Sequence, residues 1–302
     1  MIRIRNGLPG GRPAGVVLLA LSSLSLVPAR AQHSCRAVGQ LMSVSDLPEA
    51  SGVAASRKAP GQLWLHNDSG QPALFAVMAD GTARGRVRVY GAGVRDWEDI
   101  DVGPCPQGSC MYIGDIGDNN AKRRDVVIYR VAEPDPGAGT SAPSESMRLT
   151  YPDGPTDAEA FFVLPNSNLF IITKGERGAA VLYRVPEFRD GTTAQLVRVA
   201  TVVDAEGSSN AAVARANRIT SATASRDGRW VALRTLHAVM FYAADEFTAG
   251  NIREVLRFDV SALREIQGEG VAFGEDGTVW LSSEGGGSGR QGTIARLDCT
   301  LK

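Results

Sequence analysis

Apolar side chains in this chain come in short runs, and Gly, Pro, Asn or Asp closes most of them. Five runs begin alike: ASGVAAS (50–56), WEDIDVG (97–103), AEAFFVL (158–164), TSATASR (220–226) and GEGVAFG (268–274). Their second residues are Ser51, Glu98, Glu159, Ser221 and Glu269, spaced by 47, 61, 62 and 48 positions. A turn and a second run follow each start: QLWLHNDSG, CMYIGDIGDN, NLFIITKGE, RWVALRT and TVWLSSEGG. A third run and, in most units, a fourth come next. The runs are rich in Val, Ile, Phe, Tyr and Trp, which suit a pleated, half-buried surface. They show no 3.6-residue period, so a helical solenoid is excluded.

Units of about 40–60 residues with four strands each are the mark of a β-propeller. The expected fold is all-β: a β-propeller of five four-stranded blades. Six is the rival count, if the two longer gaps hide a degenerate blade. The fifth unit lacks a fourth strand after TIARLDC, and the segment CRAVGQLMSV (35–44) is a spare one. The N-terminal strand then closes the last blade and covers a sheet edge that would otherwise stand open.

The head of the chain has another pattern. Arg3, Arg5 and Arg12 precede an apolar run over 14–27, and Ala29-Arg30-Ala31 is a small-x-small cleavage site. That is the pattern of a secretory signal peptide over residues 1–31, leaving 32–302 as one propeller domain. The apolar run is shorter than the roughly 20 residues a membrane helix needs. No later stretch qualifies, so no membrane span is expected. The protein is expected to be exported, periplasmic or secreted, and monomeric. A net charge of −1 with no basic block argues against nucleic acid, whose phosphates call for concentrated Lys and Arg. Four cysteines in an exported chain imply two disulfides, and their spacings do not suit zinc. Cys105 and Cys110 would close a small loop. Cys35 and Cys299 would then meet where the ring closes, worth roughly 4–5 kcal/mol in the chain-entropy model.

The innermost strand of each propeller blade lines the axis, so equivalent repeat positions form rings. The first ring expected is Ser51, Glu98, Glu159, Ser221 and Glu269. A second, at the ends of the second strands, holds Asn67 or Asp68, Asp115, Thr173 or Lys174, Arg234 or Thr235, and Ser283 or Glu284. Glutamates facing one narrow channel repel each other and lose hydration. Raised pKa values, a bound cation, or pairing to Lys174 and Arg234 relieves that. Carboxylates with Asn side chains and backbone carbonyls are a hard-oxygen set that suits Ca²⁺. Asp68, Glu98, Asp115, Asp118, Glu159 and Glu269 are its candidate ligands, and DIGDNN (115–120) its candidate loop. The competing assignment is Asx turns, the usual work of Asp and Asn between strands. Candidate catalytic groups are Glu98, Glu159, Glu269 and His66, the last as a general base unless it is a packed strand histidine. Ser51, Asn67, Lys174, Ser221, Arg234 and Glu284 are candidate ligand contacts. No G-x-S-x-G elbow, H-E-x-x-H or phosphate loop is present.

EASGVAAS and LWLHNDSG within 49–70, DWEDI (96–100), DAEAF (157–161) and GEGVAF (268–273) resemble the exported phytase-like or esterase-like β-propellers. These segments cover the inner strands of four of the five units. The resemblance implies the propeller fold and, for some members, calcium-dependent hydrolysis of phosphoesters. Two classes of function follow. One is a non-catalytic module that binds a small molecule, a glycan, an envelope component or a protein at the funnel face, with calcium as cofactor. The other is a calcium-dependent hydrolase of phosphoesters or glycans. A glutamate pair roughly 5–9.5 Å apart would favour glycoside chemistry.

Overall fold

The computed structural model describes residues 33–175, 178–203, 215–287 and 289–302, together with Met1, Ile2 and Gly10. Apart from those three, the expected leader lies outside the described residues.

Five antiparallel sheets are present. The first blade is β2 (Ala50–Ala55), β3 (Gln62–Asn67), β4 (Ala73–Met78) and β5 (Ala83–Arg88). The second is β6 (Trp97–Cys105), β7 (Gly108–Asp115), β8 (Val126–Ala132) and β9 (Glu145–Thr150). The third is β10 (Ala158–Val163), β11 (Leu169–Thr173), β12 (Ala180–Arg184) and β14 (Val197–Val203). The fourth is β15 (Ile219–Ala224), β16 (Trp230–Thr235), β17 (Ala238–Ala243) and β18 (Glu254–Asp259). The fifth is β19 (Gln267–Phe273), β20 (Thr278–Glu284) and β21 (Thr293–Thr300), with β1 (Ser34–Ser43) as its outermost strand. The chain is thus a five-bladed β-propeller closed by its N-terminal strand.

The longer second and third units hold no sixth blade among the described residues. Their extra length goes into the loop between β8 and β9 and into a short strand, β13 (Thr193–Gln195). That strand leaves the third blade and pairs parallel with β9 of the second, strapping the two together.

Each gap between neighbouring blades is filled by its own apolar cluster. Alternation along the strands explains this, because each sheet sends side chains into the gaps on both of its faces. Trp64 and Trp97 are fully buried between the first two blades, and Trp280 is 6% exposed between the fifth and the first. The Trp64 indole donates to Oε1 of the buried Glu133 at 3.1 Å, joining blade one to blade two. Both disulfides are formed: Cys35–Cys299, across the paired β1 and β21, and Cys105–Cys110.

Candidate functional site

All five inner strands break register at the same place. Two residues of the inner strand there face one of its neighbour: Ser51 and Gly52 opposite His66, Glu98 and Asp99 opposite Gly114, Glu159 and Ala160 opposite Ile172, Thr220 and Ser221 opposite Arg234, and Glu269 and Gly270 opposite Ser282. A β-bulge bends its strand and re-aims a side chain. Repeated five times, it builds two rings.

The upper ring is Ser51, Glu98, Glu159, Thr220 and Glu269. Ser221, expected in this ring, belongs one step deeper, because Thr220 occupies the first bulge position of the fourth blade. The two hydroxyls latch neighbouring blades: Ser51 Oγ donates to the Glu98 carbonyl at 2.6 Å, and Thr220 Oγ1 to the Glu269 carbonyl at 2.8 Å.

The deeper ring is Gly52, Asp99, Ala160, Ser221 and Gly270. Here the backbones crowd, and a Cβ on Gly52 would lie 2.7 Å from the Ile100 nitrogen. Asp99 is fully buried. It accepts the N–H groups of Phe161 and Ala222 and the Ser221 hydroxyl. One carboxylate therefore ties together the second, third and fourth blades and fills the axis below the funnel. Burial pushes its pKa well up, although these donors pull it back. Asp101, two residues along, accepts the Val163 and Val102 N–H groups.

Above the rings lies a cavity of about 220 Å³, lined by Ser51, Asp68, Asp96, Glu98, Asn119, Glu159, Lys174, Arg215, Arg218, Gln267, Glu269 and Glu284. Every described lining side chain is polar. Burial is the main force raising the carboxylates, and their mutual repulsion adds to it: Glu159 rises to about 7, Glu269 to about 8, Asp68 to about 7, and Glu98 well above its usual range. Asp96 and Glu284 rise as well.

Lys174 is one cation of this group, and Arg218, which pulls Glu159, Glu269 and Glu284 back down, is another. The Lys174 ammonium pairs with Glu159 and, at 3.3 Å, with Asp157. Burial alone would lower its pKa, but Glu159 and Asp157 outweigh burial and keep it charged. Gln267 donates to both Glu269, at 2.7 Å, and Glu284, at 2.9 Å. Three buried polar atoms of the lining have no hydrogen-bond partner: Glu159 Oε2, Asp68 Oδ1 and Arg218 Nε.

Several expected site residues are engaged elsewhere. Arg234 is fully buried and points between the fourth and fifth blades, where it pairs with Glu265 and donates to the Gly270 and Ser282 carbonyls. Position 234 sits opposite the bulge rather than at the mouth, so its charge never reaches the funnel. His66 occupies the equivalent place in blade one. Its Nε2 accepts the Gly52 N–H, so Nδ1 carries the proton and donates to the Asn67 carbonyl. Burial pushes its pKa down to about 4. It is a packed, neutral histidine, not a general base in the funnel.

Asp115 is ion-paired to the buried Arg123 at 2.8 Å and accepts the Arg95 and Asp96 N–H groups. Asp118 accepts the Lys122 and Arg123 N–H groups. The DIGDNN loop therefore uses these two carboxylates as its own scaffold, as turn chemistry requires. Asn67 does the same at the rim, bonding Glu49 and Asp46 backbone groups. A side chain at Gly117 would strike the Glu98 carboxylate, so this loop also shapes the cavity wall.

Arg218, Arg215, Gln267 and Asp96 were not picked out from the sequence. Asp96, Arg218 and Gln267 share one repeat position with Glu49 and Asp157, two residues before the first bulge residue and just ahead of the starts compared above, whereas Arg215 lies outside any repeated motif. The calcium test is mixed: the donors are hard oxygens of the right kind, two of them unpartnered. Among the described residues, however, no three Asp, Glu, His or Cys side chains converge closely enough to hold a metal ion.

No family model and no curated protein matches this chain. Solved structures do match its fold. The PQQ-bound aldose sugar dehydrogenase of Streptomyces coelicolor superposes with a TM-score of 0.53 at 12% identity, over 90% of this chain and 99% of that one. The calcium-binding protein regucalcin of Agrobacterium tumefaciens does so with a TM-score of 0.52 at 14% identity, over 88% of this chain and 96% of that one. At such identities the likeness is one of architecture, and this chain is similar to both as a β-propeller.

Proposed function

We propose that this chain is a ligand-binding propeller whose axial funnel takes a small, polar, positively charged ligand, either a divalent cation such as Ca²⁺ or an organic ammonium. One observation carries the reading. Glu159 is 7% exposed, and its Oε2 faces an all-polar cavity with no partner. A buried acceptor left without a donor costs about 1–3 kcal/mol, and a cation removes that cost. The carboxylates around it, raised by burial and repulsion, would release protons as the cation arrives. A calcium-binding neighbour of the same architecture fits this proposal but does not carry it.

The leader pattern over 1–31 and the two disulfides support export into an oxidising compartment, periplasmic or extracellular. Among the described residues no helix is long and apolar enough to cross a membrane.

The experiment is a set of melting curves at pH 8 with CaCl₂, MgCl₂ or spermidine, against EDTA. A cation at a hundredfold excess over its Kd should stabilise by about 2.7 kcal/mol, and Glu159→Gln should abolish the response. No shift with any of these cations overturns the reading.

A hydrolase is the second reading, and one feature favours it. Glu159 at about 7 and Glu269 at about 8 are in the range of a general acid at neutral pH. A panel of phosphoesters and glycosides, with and without Ca²⁺, tests it. Turnover that Glu269→Gln removes would favour the enzyme over the binding module.

A further inference from the structure

The unpartnered atoms of the funnel are of two opposite kinds. Glu159 Oε2 and Asp68 Oδ1 are acceptors that want a donor or a positive charge, whereas Arg218 Nε is a donor that wants an acceptor. A bare cation satisfies only the first kind. Arg218 is 8% exposed, and a guanidinium so deeply placed is stable only when its donors are met.

Arg218 Nε and Asp68 Oδ1 lie on non-adjacent blades, whereas Glu159 Oε2 is close to Arg218. Arg218 leads directly into β15 of the fourth blade, next to Glu159 and Lys174 of the third, and Arg215 is one helical turn before it on the same wall. Asp68 belongs to the first blade. Its charged neighbours are Glu49, Glu284 and Asp96, all carboxylates. Going round the mouth, Lys174, Arg215 and Arg218 come from the third and fourth blades, with Glu159 among them, and Arg218 also faces Glu269 and Glu284 of the fifth; around Asp68 the charged neighbours are carboxylates alone. Beneath the cavity the deeper ring holds Asp99 fully buried.

We infer that the funnel binds a small zwitterion of the amino-acid or short-peptide class, with its carboxylate on Arg218 and its ammonium toward Asp68. An ammonium offers several donors to Asp68, whose charged neighbours are all carboxylates. A ligand carboxylate meets the Arg218 fork with matched geometry. A cavity of about 220 Å³ with no apolar wall suits a compact, charged molecule and not a lipid or an aromatic drug-like one. This inference rests on the funnel being the ligand site and goes further by fixing two ends of the ligand.

The test is calorimetric titration of the full chain with three sets of probes. The first is the free L-amino acids and the dipeptide Ala-Ala. The second is methylamine and putrescine, amines without an acid. The third is acetate and succinate, acids without an amine. At least one zwitterion should bind tenfold or more tighter than every probe of the other two sets. Arg218→Gln should bring its affinity down to that of the amines, and Asp68→Asn to that of the acids. Both variants are read only if their melting curves are cooperative, and Arg218→Lys, which keeps the charge, should retain part of the binding. If cations or amines bind and no zwitterion binds better, the inference falls while the cationic funnel stands. If no probe binds and no cation stabilises the fold, both fall.

Discussion

The carboxylate of Asp99, in the second blade, holds the hydroxyl of Ser221, in the fourth, at 3.1 Å across the propeller axis. Ser221 Oγ in turn accepts the Val271 N–H of the fifth blade at 3.0 Å. Asp99→Ala would strand the Phe161 and Ala222 N–H groups and the Ser221 hydroxyl in a dry centre. Each buried donor left without an acceptor costs about 1–3 kcal/mol, so Asp99→Ala should lose several kcal/mol and Ser221→Ala about 1–3 kcal/mol. Denaturant titration of the two single variants and the double variant should show them strongly non-additive. Additive losses would mean that the two side chains do not act on one another.

Stability should fall as pH rises. Glu159, Glu269 and Asp68 have folded pKa values of about 7, 8 and 7, above the usual carboxylate range of the unfolded chain. In that window the folded state binds more protons than the unfolded one, so the contribution of these groups is complete below about pH 4. It is lost as pH climbs through 7 to 8. Melting temperatures taken in chelator between pH 5 and pH 8.5 should decline, and Glu269→Gln should flatten the decline. A rising profile over that range would contradict the assignment of these groups.

Lys174 should be indispensable at high pH. Lys174→Met removes the ammonium between Asp157 and Glu159 and leaves the carboxylates of the funnel to repel one another. The variant should lose more stability at pH 8 than at pH 5, where protonation relieves the same repulsion. Equal losses at both values would assign Lys174 a packing role only.

The two disulfides should differ in worth. Cys35–Cys299 spans a sequence separation of 264 and Cys105–Cys110 one of 5. The chain-entropy model gives roughly 5 kcal/mol for the first and about 2 kcal/mol for the second. Paired Cys→Ser variants, compared by denaturant unfolding, should keep that order. The reverse order would indicate that the ring is held shut mainly by the strand pairing.

Trp64→Ala should cost about 3–5 kcal/mol as a buried large-to-small change, and it also removes a donor from Glu133. Trp64→Phe loses the indole N–H and part of the ring volume but keeps most of the packing, so it should cost about 1–3 kcal/mol. Thermal unfolding of the pair separates packing from the bond, and equal losses would show that the hydrogen bond dominates.

Blade number, the closing strand and both cysteine pairs could be read from the sequence because each follows from a repeating period or its interruption. So could the glutamates of the upper ring, since Glu98, Glu159 and Glu269 recur in phase. The bulge could not be read, because it changes which residue is opposite which without changing the spacing. That is why Ser221 was expected in the ring where Thr220 stands, and why Asp99 passed for one more acid in an acidic stretch. Arg234 and His66 were misplaced for the same reason: the residue opposite a bulge turns into the gap between blades. Arg218 stands at a repeat position, two residues before the first bulge residue, but its equivalents there are Glu49, Asp96, Asp157 and Gln267, so a basic residue breaks the pattern that would have marked it.

The strand that finishes the last blade, Ser34–Ser43, and its partner, Thr293–Thr300, are paired strands with the whole propeller between them along the chain. Until the two meet, the blades can form only an open arc. Such an arc leaves unburied the apolar faces that the fifth and first blades later press together. Sealing therefore waits on the pairing that closes the largest loop of the ring. A chain cut just before Thr293 would not yield a slightly smaller propeller. It would leave an unsealed one, lacking both the outer pairing and the covalent clasp, with a sticky seam open along its length.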